Sequence, residues 1–440
     1  MRWLYRLFDS SVPRNTRWLR AFLLLLLVLA SGYRVWLVVQ HNPMDWLHSD
    51  PARHWFAGTH PLDTGPMAAI DPILYGNYVA VLARMTAGSP ILVAYWTALL
   101  SLSGPWLWYR FLRELIPGRE YALAGWVILS ALPSWSTIYS YFMQETLMLP
   151  LLGAALWATW RCKRKGDLAS FLVATVAWML AGLTRGICIP MAAVAMMYLW
   201  SRQDDKLRKS VFAVMLLAAV LGPLAARSWY LARVISPHGM GQLASLYHRA
   251  GTNSISFEIS RSGGTETWRY NFRSPQHFPF EPFSYWTTNR RGHVNVAIDL
   301  DHGMRDWKAA RDALPKWTLQ RYLWVTSDGL THLFFDHSWP ELEHLERPAH
   351  QAGRWMRWLW APLAAVCLVG TLVLWRRQRD HLLPALLLAW LVVQMNIAIN
   401  EGRYRKPAEG LLIAQALALA ATVSSRRRRA PPALETPSAA

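Results

Sequence analysis

The sequence predicts an all-α polytopic membrane protein with about ten transmembrane helices and a small mixed α/β domain on the outer face. Hydrophobic residues make up 53% of the 440-residue chain and charged residues only 17%, a balance too apolar for a soluble protein of this size. Long runs of Leu, Ala and Val reach the length that crosses a bilayer core of about 30 Å. The 26 Trp fit the same class, because indole rings collect where hydrocarbon meets headgroups.

The net charge of +19 would also suit a protein that binds nucleic acid, but the cations are placed differently. They stand in short clusters beside apolar runs, as in membrane proteins whose cytoplasmic loops are positive. We therefore expect membrane lipids as partners and no nucleic acid. The cysteines, Cys162, Cys188 and Cys367, lie in or beside predicted spans, so no disulfide framework is indicated.

The N-terminal membrane region, residues 1–234, is predicted to begin with a signal-anchor. Several arginines precede an apolar run over residues 21–40, which is long enough to cross a bilayer. A cleaved signal peptide is the alternative, because the small residues at 30–32 would suit a peptidase. The polar segment 41–89 that follows is predicted to be the first outer loop.

Two apolar stretches, 121–160 and 168–200, have basic residues at both ends, which indicates hairpins whose tips lie outside. The first hairpin is interrupted at Pro133–Ser140, and the second has Arg185 near its tip. The remaining single spans are predicted over 90–110, 210–233, 354–375, 381–399 and 407–423.

The distribution of Lys and Arg gives the orientation of these spans. Short segments on one side hold most of these cations, so that side is cytoplasmic and both termini lie there. The C-terminal membrane spans occupy residues 352–425, and the tail 426–440, which begins with four arginines, is predicted to be disordered. We expect the bacterial inner membrane, with the outer loops in the periplasm.

Residues 235–351 form a long outer loop that could hold a small extracytoplasmic domain. Turn-forming residues separate short strands such as Ser254–Ile259, and Lys316–Phe335 has a helical pattern with an aromatic face.

Polar residues from distant parts of the sequence are predicted to gather on the outer face. They are His48, Asp50 and Asp71 in the first outer loop, Glu145 at the start of the fourth span, Arg185 at a hairpin tip, and Glu401, Arg403 and Arg405 before the last span. Acids and arginines together suit a reaction in which a hydroxyl loses a proton while a phosphate leaves. The sequence therefore predicts a site made by convergence of these segments.

Five short motifs in this order resemble the GT-C superfamily of multi-span glycosyltransferases, which use polyprenyl-phosphate sugars and include protein mannosyltransferases and the aminoarabinose transferase acting on lipid A. They are Asp50-Pro-Ala-Arg-His-Trp, Asp71-Pro-Ile-Leu-Tyr75, Gln144-Glu145-Thr146-Leu147, Gly182-Leu-Thr-Arg185 and Arg403-Tyr404-Arg-Lys-Pro407. The likeness covers roughly the membrane portion of the chain.

The resemblance implies a GT-C-like fold and transfer of a sugar from a polyprenyl-phosphate carrier to an acceptor glycan, lipid or protein on the extracytoplasmic face. Asp50 matches the acid that serves as catalytic base, and Arg403 and Tyr404 match the segment that holds the donor phosphate. Arg185 and Arg405 are expected to assist in holding the phosphate. The supporting residues are expected to be His48, Asp71, Glu145 and Glu401.

The sequence departs from the family pattern in two places. The usual second acid near the catalytic carboxylate is absent, and His48 stands beside Asp50 instead. The loop 235–351 matches no familiar domain, which leaves the acceptor open.

Each proposed site residue has a structural alternative. Asp50 precedes a proline and could cap a helix. Arg403 and Arg405 could be interfacial anchors. Arg185 could simply pair with Glu145.

A metal site is also open from the sequence. His48, His54 and His60 with Asp50 and Asp63 could bind a metal, although the spacing of six residues puts the histidines on no shared helical face. A divalent ion bridging carboxylate and phosphate is the one cofactor that the chemistry leaves open.

Two other functions compete with glycosyl transfer from a lipid monophosphate. An O-antigen ligase or polymerase would use a diphosphate-linked glycan and would place key arginines, such as Arg290, in the long loop. A lipid or sugar transporter is disfavoured by sparse polar residues at mid-depth and the lack of internal repeats. An Asp-x-Asp motif at Asp299–Asp301 resembles a nucleotide-sugar site, but nucleotide sugars are scarce on the outer face.

Overall fold

The computed structural model describes residues 14–60, 71–232, 254–261, 264–271, 293–299, 319–335, 338, 344–378, 380–396 and 402–427. Helices dominate this part of the chain. In chain order they are α1 (Arg14–Gln40), α2 (Ser49–Thr59), α3 (Ile73–Thr86), α4 (Pro90–Leu115), α5 (Arg119–Ala131), α6 (Pro133–Ser136), α7 (Glu145–Lys165), α8 (Leu168–Thr184), α9 (Cys188–Ser201), α10 (Lys206–Ala232), α11 (Leu319–Phe335), α12 (Pro348–Val373), α13 (Leu382–Asn396) and α14 (Lys406–Arg427).

Within the described residues, five helices are long and apolar enough to cross a membrane, namely α1, α4, α10, α12 and α14. A sixth span results if α5 and the segment Pro133–Ser140, which meet at a bend of 66°, are counted as one. The apolar helices α8, α9 and α13 are shorter. These helices are consistent with an all-α, multi-pass membrane protein, and the full set of ten spans stays a prediction.

The outer surface of the bundle carries large apolar side chains that water would not favour. Val28 on α1, Leu99 on α4, Val214 on α10 and Val373 on α12 are all at least 60% exposed. Exposure of this kind on several long apolar helices fits contact with lipid hydrocarbon.

Close packing joins α4, α7 and α14 around one indole ring. Trp108 on α4 is fully buried, and its Nε1 donates to the carbonyl of Leu149 at 3.0 Å. A Cβ on Gly153 of α7 would lie 2.5 Å from this ring, and one on Gly410 of α14 would lie 2.6 Å from it. The two glycines therefore let these helices approach, which fixes the position of α14.

The break predicted at Pro133 is confirmed, and a buried arginine stabilises it. Proline removes a helical hydrogen bond and leaves nearby carbonyl groups without their usual donor. Arg34 of α1, which has no exposed surface, donates to the carbonyls of Ser130 and Trp135 at 3.0 and 2.9 Å, and to that of Leu129 at 3.3 Å. The buried guanidinium thus supplies hydrogen-bond donors to the carbonyl groups at the bend that precedes Glu145.

The segment predicted as a polar first outer loop, 41–89, contains the helices α2 and α3. In the long loop, the described residues form strands β1 (Ser254–Arg261), β2 (Gly264–Asn271) and β3 (His293–Asp299) and the helix α11. β1 pairs antiparallel with β2 and parallel with β3. The strand predicted at Ser254–Ile259 and the helix predicted within 316–335 are confirmed, and the predicted tail beyond Arg427 lies outside the described residues.

Candidate functional site

The N-terminal turn of α2 presents two charged residues and a histidine. The helix begins at Ser49 with His48 at the N-cap position, so Asp50 lies in the first turn and the interpretation of Asp50 as the cap is wrong. Ser49 adopts a left-handed φ of 56°, which is costly for a residue other than glycine. The spacing of Asp50, Arg53 and His54 places these side chains on one side of the helix.

The structure brings Asp50 and Arg403 into direct contact. Nη1 of Arg403 donates to Oδ2 of Asp50 at 2.9 Å, across 353 residues of sequence. Arg53 lies on the other oxygen, with its Nη2 3.2 Å from Oδ1. The side chains of Asp50, Arg53 and Arg403 are 29%, 26% and 16% exposed, so the cluster is accessible from outside the bundle.

Asp71 joins the same cluster through Arg53. Nε of Arg53 lies 2.9 Å from Oδ2 of Asp71, and Nδ1 of His54 lies 3.6 Å from the same oxygen. Nε2 of Gln144 donates to Oδ1 of Asp71 at 3.1 Å. These contacts connect the first outer loop to the segment that precedes α7.

Glu145, Arg185 and Tyr404 form the inner part of the cluster. The guanidinium of Arg185 donates to Oε1 of Glu145, which confirms the pairing foreseen for these two residues. It also lies 4.7 Å from the centroid of the Tyr404 ring, and the guanidinium of Arg403 lies 5.4 Å from that centroid. Oε2 of Glu145 is buried and accepts no hydrogen bond from any described residue.

Two indole groups hold the short turn Gly402–Arg405 that carries Arg403. Nε1 of Trp390 donates to the carbonyl of Tyr404 at 3.3 Å, and Nε1 of Trp135 donates to the carbonyl of Lys406 at 3.2 Å. Because both indoles belong to other helical segments, the position of Arg403 depends on the packing of the whole bundle.

The charges of this cluster set the protonation of its acid. Burial raises the pKa of Asp50, but the charges of Arg53 and Arg403 outweigh that effect and hold the pKa well below its ordinary value. Burial lowers the pKa of His54, against the opposing charge of Asp71. At neutral pH the carboxylate of Asp50 is therefore ionised and the His54 ring is neutral.

Arg405 was expected to bind the donor phosphate but has a different environment. Its side chain is 1% exposed, its Nε donates to Oε1 of Glu409 at 3.1 Å, and its Nη1 donates to the carbonyl of Leu333 on α11 at 2.7 Å. Oε2 of Glu409 accepts a hydrogen bond from Ser134 at 2.6 Å. We therefore assign Arg405 to a buried structural network at the start of α14.

The remaining predicted site residues are His48 and Glu401. His48 is exposed, and its ring meets the edge of the Trp46 ring at a centroid distance of 6.1 Å, without joining the contacts of Asp50 described above. Glu401 lies outside the described residues.

Three members of the cluster were not among the predicted site residues. Arg53 follows Asp50 by three positions, a spacing that brings side chains together on a helix, and this signal was available in the sequence. His54 lies in the motif that begins at Asp50, but the sequence suggests only a metal-binding role for it. Gln144 opens the motif Gln144-Glu145-Thr146-Leu147, but the resemblance gave it no role of its own.

The carboxylates of the cluster pair with arginines. Asp50, Asp71 and Glu145 each face an arginine, and among the described residues no group of three or more His, Cys, Asp or Glu side chains could hold an ion. His60 is stacked on Phe56, away from these contacts, and Asp63 lies outside the described residues.

Comparisons with protein-family models, with curated proteins and with solved structures find no match to this chain.

Proposed function

We propose that this protein is an integral-membrane glycosyltransferase of the GT-C type, which moves a sugar from a polyprenyl-phosphate carrier to an acceptor on the extracytoplasmic face of the bacterial inner membrane. The observation that carries the proposal is the contact of Asp50 with Arg403. A carboxylate from the first outer loop and a guanidinium from the turn before α14 meet at one accessible place, together with Arg53 and Arg185. These are the groups that proton removal and phosphate departure require.

The phosphate of the donor would be held by Arg403 and Arg185. Their guanidinium groups lie on the same Tyr404 ring, at 5.4 and 4.7 Å from its centroid, so the ring fixes two cations close together. A guanidinium can bind two phosphate oxygens at once. In a site that excludes water, the same charges stabilise the phosphate as it becomes the leaving group.

Asp50 would act as the general base. The acceptor hydroxyl gives its proton to the carboxylate while its oxygen forms a bond to the anomeric carbon, and the bond from that carbon to the phosphate oxygen breaks. The lipid phosphate leaves with the electron pair as a stable anion, so no general acid is required. The depressed pKa keeps Asp50 ionised over the physiological range.

Glu145 offers a further contact for the sugar. Its Oε1 accepts from Arg185, whereas its buried Oε2 has no donor among the described residues. A buried oxygen of this kind is costly unless a ligand or water satisfies it. A sugar hydroxyl next to the donor phosphate could donate to it.

The location of the site at one end of the bundle supports an extracytoplasmic reaction. Glu145 begins α7, whereas Lys163, Arg164 and Lys165 end it, about 30 Å away at 1.5 Å per residue. Because basic clusters mark the cytoplasmic side, the end with Glu145 and Asp50 would face the periplasm.

Purified protein in lipid nanodiscs tests the proposal with a panel of undecaprenyl-phosphate sugars, among them mannosyl and aminoarabinosyl donors, and with envelope extract as acceptor. Mass spectrometry measures the undecaprenyl phosphate released. We expect Asp50→Asn to lower the rate about 10²–10⁴-fold, as for loss of a general base. Arg20→Gln, which breaks an ion pair of similar exposure with Glu120, should keep the wild-type rate per folded protein.

Three outcomes would overturn the proposal. Full activity in Asp50→Asn would remove this residue from the reaction. Turnover of diphosphate-linked donors alone would favour a ligase or polymerase. Movement of the donor across the bilayer without any new glycosidic bond would favour a transporter.

A further inference from the structure

A charged cavity lies at the end of the bundle opposite Asp50. It has a volume of about 530 Å³ and is lined by Arg110, Arg113 and Glu114 of α4 and by Arg164 of α7. Arg164 follows Glu145 by 19 residues on the same helix, a distance of roughly 29 Å. The cavity is therefore separated from the candidate active site by about the thickness of a bilayer core.

The cavity has more positive charge than its own acid can balance. Nη1 of Arg164 pairs with Oε2 of Glu114 at 2.7 Å. Arg110 and Arg113 have no carboxylate partner among the residues that the structure describes. Two guanidinium charges in one cavity of this size can bind an anion with several acceptor oxygens, such as a phosphate.

Aromatic side chains hold both of these arginines in place. The guanidinium of Arg110 lies 4.6 Å from the Trp157 ring centroid and 5.6 Å from that of Trp106. Nη1 of Arg113 donates to the hydroxyl of Tyr109 at 3.2 Å. Arginines ordered in this way lose less conformational entropy when they bind an anion.

An exposed apolar stripe leads along α4 to the cavity. Leu92, Leu99 and Trp106 are 46%, 60% and 41% exposed, and Arg113 continues the series at the same spacing of seven residues. Residues seven apart lie on nearly the same side of a helix. From Leu99 to Arg113 the stripe is about 21 Å long, which is enough for an acyl chain lying against the helix.

We infer that this cavity binds the phosphate of an acidic glycerophospholipid, with its acyl chains along the stripe of α4. The two uncompensated arginines select the anionic headgroup, and the apolar stripe selects an amphiphile over a soluble anion. A role for these arginines in orientation alone needs only their charge, and it requires neither a cavity nor aromatic partners. The inference does not depend on the proposed transferase activity.

Native mass spectrometry of the full chain, released from nanodiscs, tests the inference with three probes. The probes are phosphatidylglycerol, phosphatidylcholine with the same acyl chains, and glycerol phosphate as the headgroup without chains. We expect the wild type to retain phosphatidylglycerol in preference to phosphatidylcholine. In the double variant Arg110→Gln/Arg113→Gln, the ratio of bound phosphatidylglycerol to bound phosphatidylcholine should fall by about 30-fold. The matched double variant Arg208→Gln/Arg376→Gln removes the same net charge from exposed positions outside the cavity and should keep the preference.

A charge-conserving double variant, Arg110→Lys/Arg113→Lys, distinguishes loss of charge in the cavity from a folding defect caused by replacing these arginines. It should retain selectivity for phosphatidylglycerol, because two positive charges stay in the cavity. Equal retention of phosphatidylcholine by the wild type would overturn the inference, as would an equal loss of selectivity in the matched control. Binding of glycerol phosphate as tight as that of the lipid would assign a soluble anion to the cavity.

Discussion

Replacing the two partners of the Asp50–Arg403 contact should change polyprenyl-phosphate binding in opposite directions. The carboxylate occupies Nη1 of Arg403 at 2.9 Å, so an incoming phosphate must compete with it. Arg403→Gln removes a charge that would hold the phosphate and should weaken binding. Asp50→Asn removes the competing negative charge and should strengthen binding, even though we expect the same variant to slow transfer by about 10²–10⁴-fold.

The size of both effects follows from the geometry of the contact. A hydrogen bond between charged groups contributes about 1.5–3 kcal/mol. The lower value applies here because the side chains of Arg403 and Asp50 are 16% and 29% exposed. About 1.5 kcal/mol corresponds to roughly tenfold in the dissociation constant. We expect a loss of about tenfold in Arg403→Gln and a gain of up to about tenfold in Asp50→Asn.

The assay is titration of undecaprenyl phosphate into protein in neutral nanodiscs, with bound lipid counted by native mass spectrometry. Arg20→Gln is the matched control, because Arg20 and Glu120 form an ion pair at 2.5 Å with side chains that are 11% and 24% exposed. Its stability should fall while its affinity stays unchanged. Equal weakening in Asp50→Asn and Arg403→Gln would show that the contact only supports the fold, and weakening in the control would show that binding follows stability.

Three further predictions concern acid stability, helix packing and the buried network. The pKa of Asp50 is lowered in the folded protein, so its carboxylate stabilises the fold above the unfolded pKa of about 3.9, and this stabilisation is lost as the pH falls. The difference in thermal midpoint between wild type and Arg403→Gln should therefore shrink below about pH 4. Gly410→Ala would overlap Trp108 and should cost about 1–3 kcal/mol in thermal or denaturant unfolding, with part recovered by adding Trp108→Phe. Arg405→Gln leaves a buried carboxylate without its partner and should cost about 3–5 kcal/mol, seen as a low folded yield, while the folded fraction binds undecaprenyl phosphate normally.

The five long apolar helices and the meeting of Asp50 with Arg403 could be predicted because both follow from long-range patterns. Apolar length locates helices, and counting cations at the ends of those helices assigns the segments between them to one face. Once the first outer loop and the turn before α14 are assigned to the same face of the bundle, their polar residues are confined to a small area and are expected to lie close together. The helical break at Pro133 was equally visible, since proline acts locally.

The role of Arg405 could not be predicted because two arginines two positions apart look alike in a sequence. Side chains at that spacing in a 3₁₀ turn lie on different sides of the turn. The structure directs Arg403 toward Asp50 and Arg405 toward Glu409, and the choice depends on the packing of α11 and α14. The role of Arg34 could not be predicted for a related reason. Its partners are backbone carbonyl groups at a bend, and the residue types in the sequence do not show which carbonyl groups will need a donor.

The charge balance of the candidate site suggests how donor binding could control the base. Three arginines face three carboxylates around Asp50, so the cluster is nearly neutral before a ligand arrives. In that state the guanidinium groups hold the pKa of Asp50 low and make its carboxylate a weak base. A phosphate bound to Arg403 would add negative charge and weaken the effect of that guanidinium on Asp50, which would raise the pKa of Asp50. The carboxylate would then become a better proton acceptor only when the donor is bound, which limits deprotonation of the acceptor to complexes that can complete the transfer.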